Sequence, residues 1–325
     1  MTAPDAAADM AGPATGVERV LVVANPAARG GVTDLLDDVE RRCADLGFAP
    51  VTIAPDGVDR ALAEISHLVD AEGPWRAVVA VGGDGTVRTC AAALAGSEVP
   101  MAIVPAGTGN SMHRALWEDR PWPEVIGEAL TGAARVRDVD LLSVRGADSG
   151  RLAAALLGVS VGLIAEVVRA SVALVDVAGR ERYSAAIGPT LEAHRSFPVR
   201  VVLDDEQLAV GPTSLVVIGG ARHRAGTFQV LPRSVLDDGL LDVCVIEGVD
   251  ATGFVELAGA VVAGEHLDHP GVAYGQGRSV RIERTDGEPL VAEHDGDVWP
   301  VDDRVIDVAV TGSVKMLAPL DAVAG

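Results

Sequence analysis

Lysine is nearly absent from this chain. Lys315 is the only one, and arginine supplies the rest of the 26 basic residues, against 47 acidic ones. The formal net charge of -21 excludes a surface built for phosphate backbones, so nucleic acid is not an expected partner. It also argues against tight electrostatic docking on an anionic bilayer, leaving transient contact through an apolar lip as the way to meet a membrane. Cysteine is scarce as well. Cys43, Cys90 and Cys244 are odd in number and far apart, fit neither a disulfide framework nor a metal knuckle, and read as reduced cytosolic thiols. No apolar run reaches bilayer-spanning length; the most apolar stretch, 152–165, is short and contains glycines. Met1 to Gly16 is built of Ala, Pro, Gly and Asp without the basic start and apolar core of a signal peptide, so residues 1–17 read as a disordered tail. The expected location is the cytoplasm, with peripheral visits to a membrane. Neither a G-x-x-x-x-G-K-[ST] P-loop nor a dinucleotide fingerprint is present.

What remains is a globular composition, 49% hydrophobic and 22% charged over 325 residues, enough for about two domains. Apolar strand-length runs at 20–24, 51–53, 78–81 and 101–104 alternate with segments of helical periodicity at 33–46, 58–69 and 87–94. That βαβα rhythm means a parallel sheet with helices packed on it. Two of the strands end in glycine-rich turns: Gly82-Gly83-Asp84-Gly85-Thr86, and Pro105-Ala106-Gly107-Thr108-Gly109-Asn110. Successive units of a parallel sheet place such turns at one edge, where ligands bind. Glycine lets a ligand approach the main chain, and N–H groups at a helix N-terminus favour phosphate. Asp84 repels phosphate unless a Mg²⁺ ion bridges the two. Taken alone, the first turn is also readable as an ordinary Gly-Asp turn.

The pair of loops resembles the nucleotide site of the diacylglycerol-kinase-type lipid kinases. The first element is shared with NAD kinases, and the second tilts the choice to the lipid kinases. The resemblance covers nearly all of residues 19 to 319. It implies two lobes with an interdomain cleft: an α/β nucleotide-binding domain over 18–137, completed by 300–321, and a mainly antiparallel β substrate domain over 138–299. It implies Mg–ATP held by Asn25, Thr52, Gly82, Gly83, Asp84, Gly85, Thr86, Gly107, Thr108 and Asn110. Arg29 stands where the family often has a basic residue. The partner implied is a lipid with a free hydroxyl.

From residue 139 to 299 short runs rich in Val, Leu and Ile recur, consistent with an antiparallel β domain interrupted by helices at about 163–175 and 182–194. Strands are expected at 139–143, 152–159, 199–203, 214–218, 228–231, 241–246, 279–282, 289–292, 305–310 and 313–317. Exposed β edges there would allow a homodimer. By resemblance, the turn containing Asp237-Asp238-Gly239 holds a structural Mg²⁺ through Asp238 and the carbonyls of Val235 and Leu240; read alone, Asp-Gly is also a hairpin signal. The family's general base is an aspartate in Asp-Gly-Glu. Asp286-Gly287-Glu288 matches the letters but sits in a hairpin turn. Asp295-Gly296-Asp297 follows a strand where the chain heads back to the first lobe, so Asp295 is the expected base, with Asp297 replacing the glutamate. Arg88 and Thr89 depart from the Asn and Glu that often follow Gly-Gly-Asp-Gly-Thr. An ATP-dependent lipid kinase is therefore expected. A non-catalytic nucleotide- or lipid-binding protein on the same scaffold and an NAD kinase are the alternatives.

Overall fold

The computed structural model describes residues 17–25, 32–177, 179–224, 228–248 and 251–320. Most of the expected tail, as well as Pro26 and Arg29, lies outside them. The first lobe runs β1 (Arg19–Ala24), α1 (Val32–Asp45), β2 (Ala49–Ile53), α2 (Val58–Ala71), β3 (Trp75–Gly82), α3 (Asp84–Ala93), β4 (Met101–Pro105), α4 (Ser111–Trp117) and α5 (Trp122–Thr131). Strands β2, β1, β3 and β4 lie side by side, all parallel. The central ones read as unbroken apolar runs because helices cover both faces. Side chains alternate between faces: Leu21, Val23, Val78 and Ala80 enter one core, while Val20, Val22, Val79 and Val81 enter the other.

The second lobe runs β5 (Ala134–Gly146), β6 (Leu152–Ala155), β7 (Val159–Gly162), α6 (Leu163–Ala173), α7 (Gly179–Ala193), β8 (Phe197–Leu203), β9 (Glu206–Gly219), β10 (Leu241–Glu247), α8 (Ala251–Ala263), β11 (Val272–Gly277), β12 (Ser279–Arg284), β13 (Ala292–His294), β14 (Asp297–Val298) and β15 (Val305–Pro319). The pairings among these strands are antiparallel throughout, and β15 also joins β4 of the first lobe in parallel. The fold is thus an α/β lobe with a parallel sheet joined to a mainly antiparallel β lobe.

Two long strands tie the lobes together. β5 and β15 pair antiparallel from Ala134↔Pro319 to Gly146↔Ile306, with an irregularity between Val310 and Gly312. One end of β15 pairs with β12, and Met316 at the other pairs with Met101 of β4. The two expected strands at 305–310 and 313–317 are therefore one bent strand, because the break at Thr311-Gly312 bulges the ladder without ending it.

Other local expectations change too. The run 152–159 is two strands, since Gly158 turns the chain at φ 134° and a Cβ there would lie 1.9 Å from the Ile218 carbonyl oxygen. Residues 228–231 form only an isolated bridge, Arg224↔Phe228, so the turn before β10 does not close a hairpin. β11 and α8 were not expected. Gly275 and Gly277 weaken the strand signal of β11, and α8, apolar but for Thr252 and Glu256, lacks a polar stripe. No helix among the described residues is long and apolar enough to cross a membrane.

Candidate active site

Because β3 and β4 are neighbouring parallel strands, the turns that follow them lie side by side. The Ala106 N–H donates to the Gly82 carbonyl at 2.9 Å. Gly83 and Gly107 are pressed together: a Cβ on Gly107 would lie 2.4 Å from the Gly83 Cα. Any other residue at Gly107 would push the loops apart. Asn110 adopts a left-handed conformation and closes the second loop, accepting from the Gly107 N–H and donating to the Gly107 carbonyl, each at 2.9 Å. Gly82 makes room for Thr86, whose Oγ1 would lie 2.3 Å from a Cβ there.

Asp84 is the first residue of α3. Its Oδ1 accepts the Met112 N–H at 3.0 Å, and its Oδ2 sits where a Cβ on Gly109 would approach to 2.8 Å. Asp84 is therefore a strut between the loops, and Oδ2 has no donor among the described residues. That oxygen, at the N-terminus of α3, fits a hard cation next to phosphate.

The loops open onto a groove of about 700 Å³ lined by Asn25, Gly83, Gly85, Thr86, Gly107 and Thr108, with Arg88 and Asp297 closing it. Gly82, Asp84 and Asn110 are outside this lining; Gly82 and Asn110 bond to the lining residues Ala106 and Gly107, and Asp84 to Met112. Thr52 is a correction: the structure does not bring it to the groove. Its hydroxyl donates to Glu40 Oε1 at 2.5 Å, so α1 holds it.

The opposite wall comes from the second lobe. Arg88 on α3 donates to Asp297 Oδ2 at 2.5 Å and to the His294 carbonyl at 3.4 Å. Asp295, in the turn between β13 and β14, has a left-handed backbone at φ 48°. Its Oδ1 accepts the N–H groups of Leu157 and Gly158 at 2.9 Å, and its Oδ2 accepts that of Leu156 at 2.8 Å. Oδ1 is saturated by two donors, whereas Oδ2 keeps a lone pair. Burial raises the Asp295 pKa, opposed by the Arg88 guanidinium and the backbone donors. Behind it, buried Arg224 donates to the carbonyls of Leu157 at 2.6 Å and Ile218 at 3.0 Å. Buried Glu293 accepts the Gly296 N–H at 2.7 Å. Arg224 and Glu293 clamp the Asp295 turn from two sides, and sequence reasoning had no signal for either. Asp286 lies in a separate turn, paired with Arg284 at 2.8 Å.

At the turn before β10, Asp238 is exposed and its Oδ1 accepts the Leu240 N–H at 3.0 Å. Asp237 is committed to Arg137 at 2.5 Å. Asp140 of β5 accepts the Gly239 N–H at 2.9 Å. Its pKa is pushed up to about 6 by burial, with the Asp238 and Asp237 charges adding to the rise. The carboxylates of Asp238 and Asp140 are oxygen donors of the kind a hard cation takes. Asp140 was missed because its alternation on β5 reads as an ordinary strand. All three cysteines are buried and outside any disulfide, with thiols pushed up to about 11 at Cys43 and about 12 at Cys90 and Cys244. Such thiols are unreactive.

Comparison with known proteins agrees with this architecture. Residues 19–144 match the family model described as the diacylglycerol kinase catalytic domain, and residues 158–315 that described as the YegS C-terminal NAD kinase beta sandwich-like domain. The "probable lipid kinase YegS-like" protein of Stenotrophomonas maltophilia is 30% identical over 279 residues, covering 83% of this chain and 85% of that protein. A diacylglycerol kinase of Mycobacterium tuberculosis is 27% identical over 212 residues, 64% of this chain and 66% of that kinase, just under two thirds of its length. The crystal structure of a diacylglycerol kinase from Bacillus anthracis shares the fold, with a TM-score of 0.68 at 20% identity, covering 94% of this chain and 98% of that one. With paired glycine loops, an interlobe groove and these relatives in view, the chain belongs to the family of diacylglycerol kinases and YegS-like lipid kinases.

Proposed function

We propose that the protein is an ATP-dependent lipid kinase that moves the γ-phosphoryl group of Mg–ATP to a lipid hydroxyl. One observation carries this reading: the two glycine loops share a groove with a hairpin of the other lobe that holds a pinned carboxylate. The glycine loops bind the phosphates through main-chain N–H groups and the α3 N-terminus. Asp84 Oδ2 would hold the cation, which would supply the charge neutralisation that phosphoryl transfer needs. Asp295 Oδ2 accepts the hydroxyl proton as the acceptor oxygen bonds to phosphorus and the bond to the ADP oxygen breaks. Its raised pKa suits a base that must hold that proton. Asp238, with the carbonyls of Val235 and Leu240 and with Asp140 behind, would hold a second, structural Mg²⁺.

The lipid has to be met at a bilayer. Val172 and Val175, 57% and 78% exposed where α6 leads towards α7, are apolar residues suited to transient membrane contact. The acceptor is diacylglycerol or a similar hydroxylated lipid. The test is transfer of radiolabelled phosphate from ATP to a total lipid extract, with NAD as a parallel acceptor. A labelled lipid lost in Asp84→Ala and Asp295→Asn is expected, with rate losses of about 10²-fold or more. Labelled NAD, or unchanged lipid labelling in both variants, overturns the reading.

A further inference from the structure

Arg88 is the one cationic side chain among the described residues of the groove. It stands where the resemblance expects Asn, and Asp297 stands where it expects Glu. The structure joins these two departures as one ion pair across the lobes. The partners are unequal. The Arg88 side chain is 13% exposed and Asp297 60% exposed. An exposed carboxylate gives up such a contact cheaply, because water replaces it and surface pairs contribute little. A largely dehydrated guanidinium needs an anion more. Nη1 and Nη2 have the His294 carbonyl and Asp297 as partners, and Nε has none among the described residues. The planar fork thus retains donors in the geometry that matches phosphate oxygens. In a chain with one lysine and a net charge of -21, a groove for a polyphosphate has few other sources of positive charge.

We propose that Arg88 is a phosphate-binding residue of the groove, held by Asp297 in the nucleotide-free protein and passed to a β- or γ-phosphate oxygen when nucleotide enters. This rests on the nucleotide reading above. Arg88 then acts both as a clamp on the transferred group and as a latch between α3 and the β13–β14 hairpin. The Asp297 carboxylate competes with phosphate for the same cation.

The test is calorimetric titration of the full chain with Mg–ATP and, separately, with AMP, which lacks the β- and γ-phosphates. Arg88→Met is expected to weaken Mg–ATP binding about tenfold, as for one charge-assisted hydrogen-bonded contact, and to leave AMP nearly unchanged. Asp297→Asn removes the competitor and is expected to tighten Mg–ATP about threefold, an effect absent in the Arg88→Met background. Asp297 is exposed, so its variant keeps the test alive if Arg88→Met proves unstable in a thermal melt. Wild-type affinity for Mg–ATP in Arg88→Met, equal losses for Mg–ATP and AMP, or weakened Mg–ATP binding in Asp297→Asn each overturns the proposal alone. Absence of Mg–ATP binding by the wild-type chain overturns the nucleotide reading and this inference with it.

Discussion

Gly107 and Gly85 lie in adjoining loops yet answer to different constraints. A Cβ on Gly107 meets main-chain atoms of Gly83 at 2.4 Å, and main chain cannot turn aside as a long side chain would. Gly107→Ala is expected to cost about 1–3 kcal/mol by overpacking and to lower nucleotide affinity, checked by urea denaturation and titration. Gly85 has open space around its Cβ position and lies inside α3. Gly85→Ala is expected to hold or raise stability by up to about 1 kcal/mol while narrowing the groove. His294 gives a pH dependence. Burial, with Arg88 adding, lowers its pKa from 6.5 to about 4. The unfolded chain binds this proton below about pH 6.5 while the folded chain refuses it until about pH 4, so stability is present above pH 6.5 and is lost as pH falls towards 4. Buried His113 and His266 shift in the same direction. Between pH 7 and pH 5 the His294 part is of order 2 kcal/mol. His294→Phe should flatten the dependence of the urea midpoint over that range; an unchanged slope would exclude His294 as a source.

At the scale of elements, the break between β6 and β7 shapes the carboxylate site. The three N–H groups of 156–158 that hold Asp295 are free to do so because Gly158 takes them out of the ladder. Arg224 fixes that break from below through the Leu157 and Ile218 carbonyls, beside Glu293. Arg224→Met takes a donor from two buried carbonyls, leaving that of Leu157 with the longer Ala221 N–H contact at 3.4 Å, and removes the positive charge that opposes the rise of the buried Glu293 pKa. The expected cost is about 3–5 kcal/mol in chemical denaturation. Adding Glu293→Gln should recover part of it, since the stranded charge is then gone. A fully additive double variant would show that the two do not act as a pair.

For the whole molecule, charge and connectivity matter most. With a net charge of -21, self-repulsion opposes the compact state, and salt screens it. Raising NaCl from low to about 0.5 M should lift the melting temperature by about 2–4 °C. Binding to anionic vesicles should strengthen with salt, the reverse of a basic peripheral protein. A fall in melting temperature, or vesicle release by salt, would contradict this. Connectivity acts through β5 and β15, which run unbroken from one lobe to the other and make the groove's two walls parts of one sheet system.

The parallel lobe and its two glycine turns were legible in the chain because buried parallel strands are continuous apolar runs and tight turns demand glycine, both local requirements. Val78–Val81 and Met101–Val104 carry that signal without any help from distant residues. The antiparallel lobe was legible as a class but not in detail: β11 and α8 escaped, and Thr52 was assigned to a groove it does not reach. What only the tertiary structure decided is which side chains meet across long separations. Arg88 with Asp297, Arg224 with the Asp295 turn, and Asp140 with Gly239 are each brought together by sheet order. Local sequence specifies backbone preference within a few residues; the contacts of charged side chains with groups some 100 to 200 positions away follow from how the strands stack, and no local pattern encodes them.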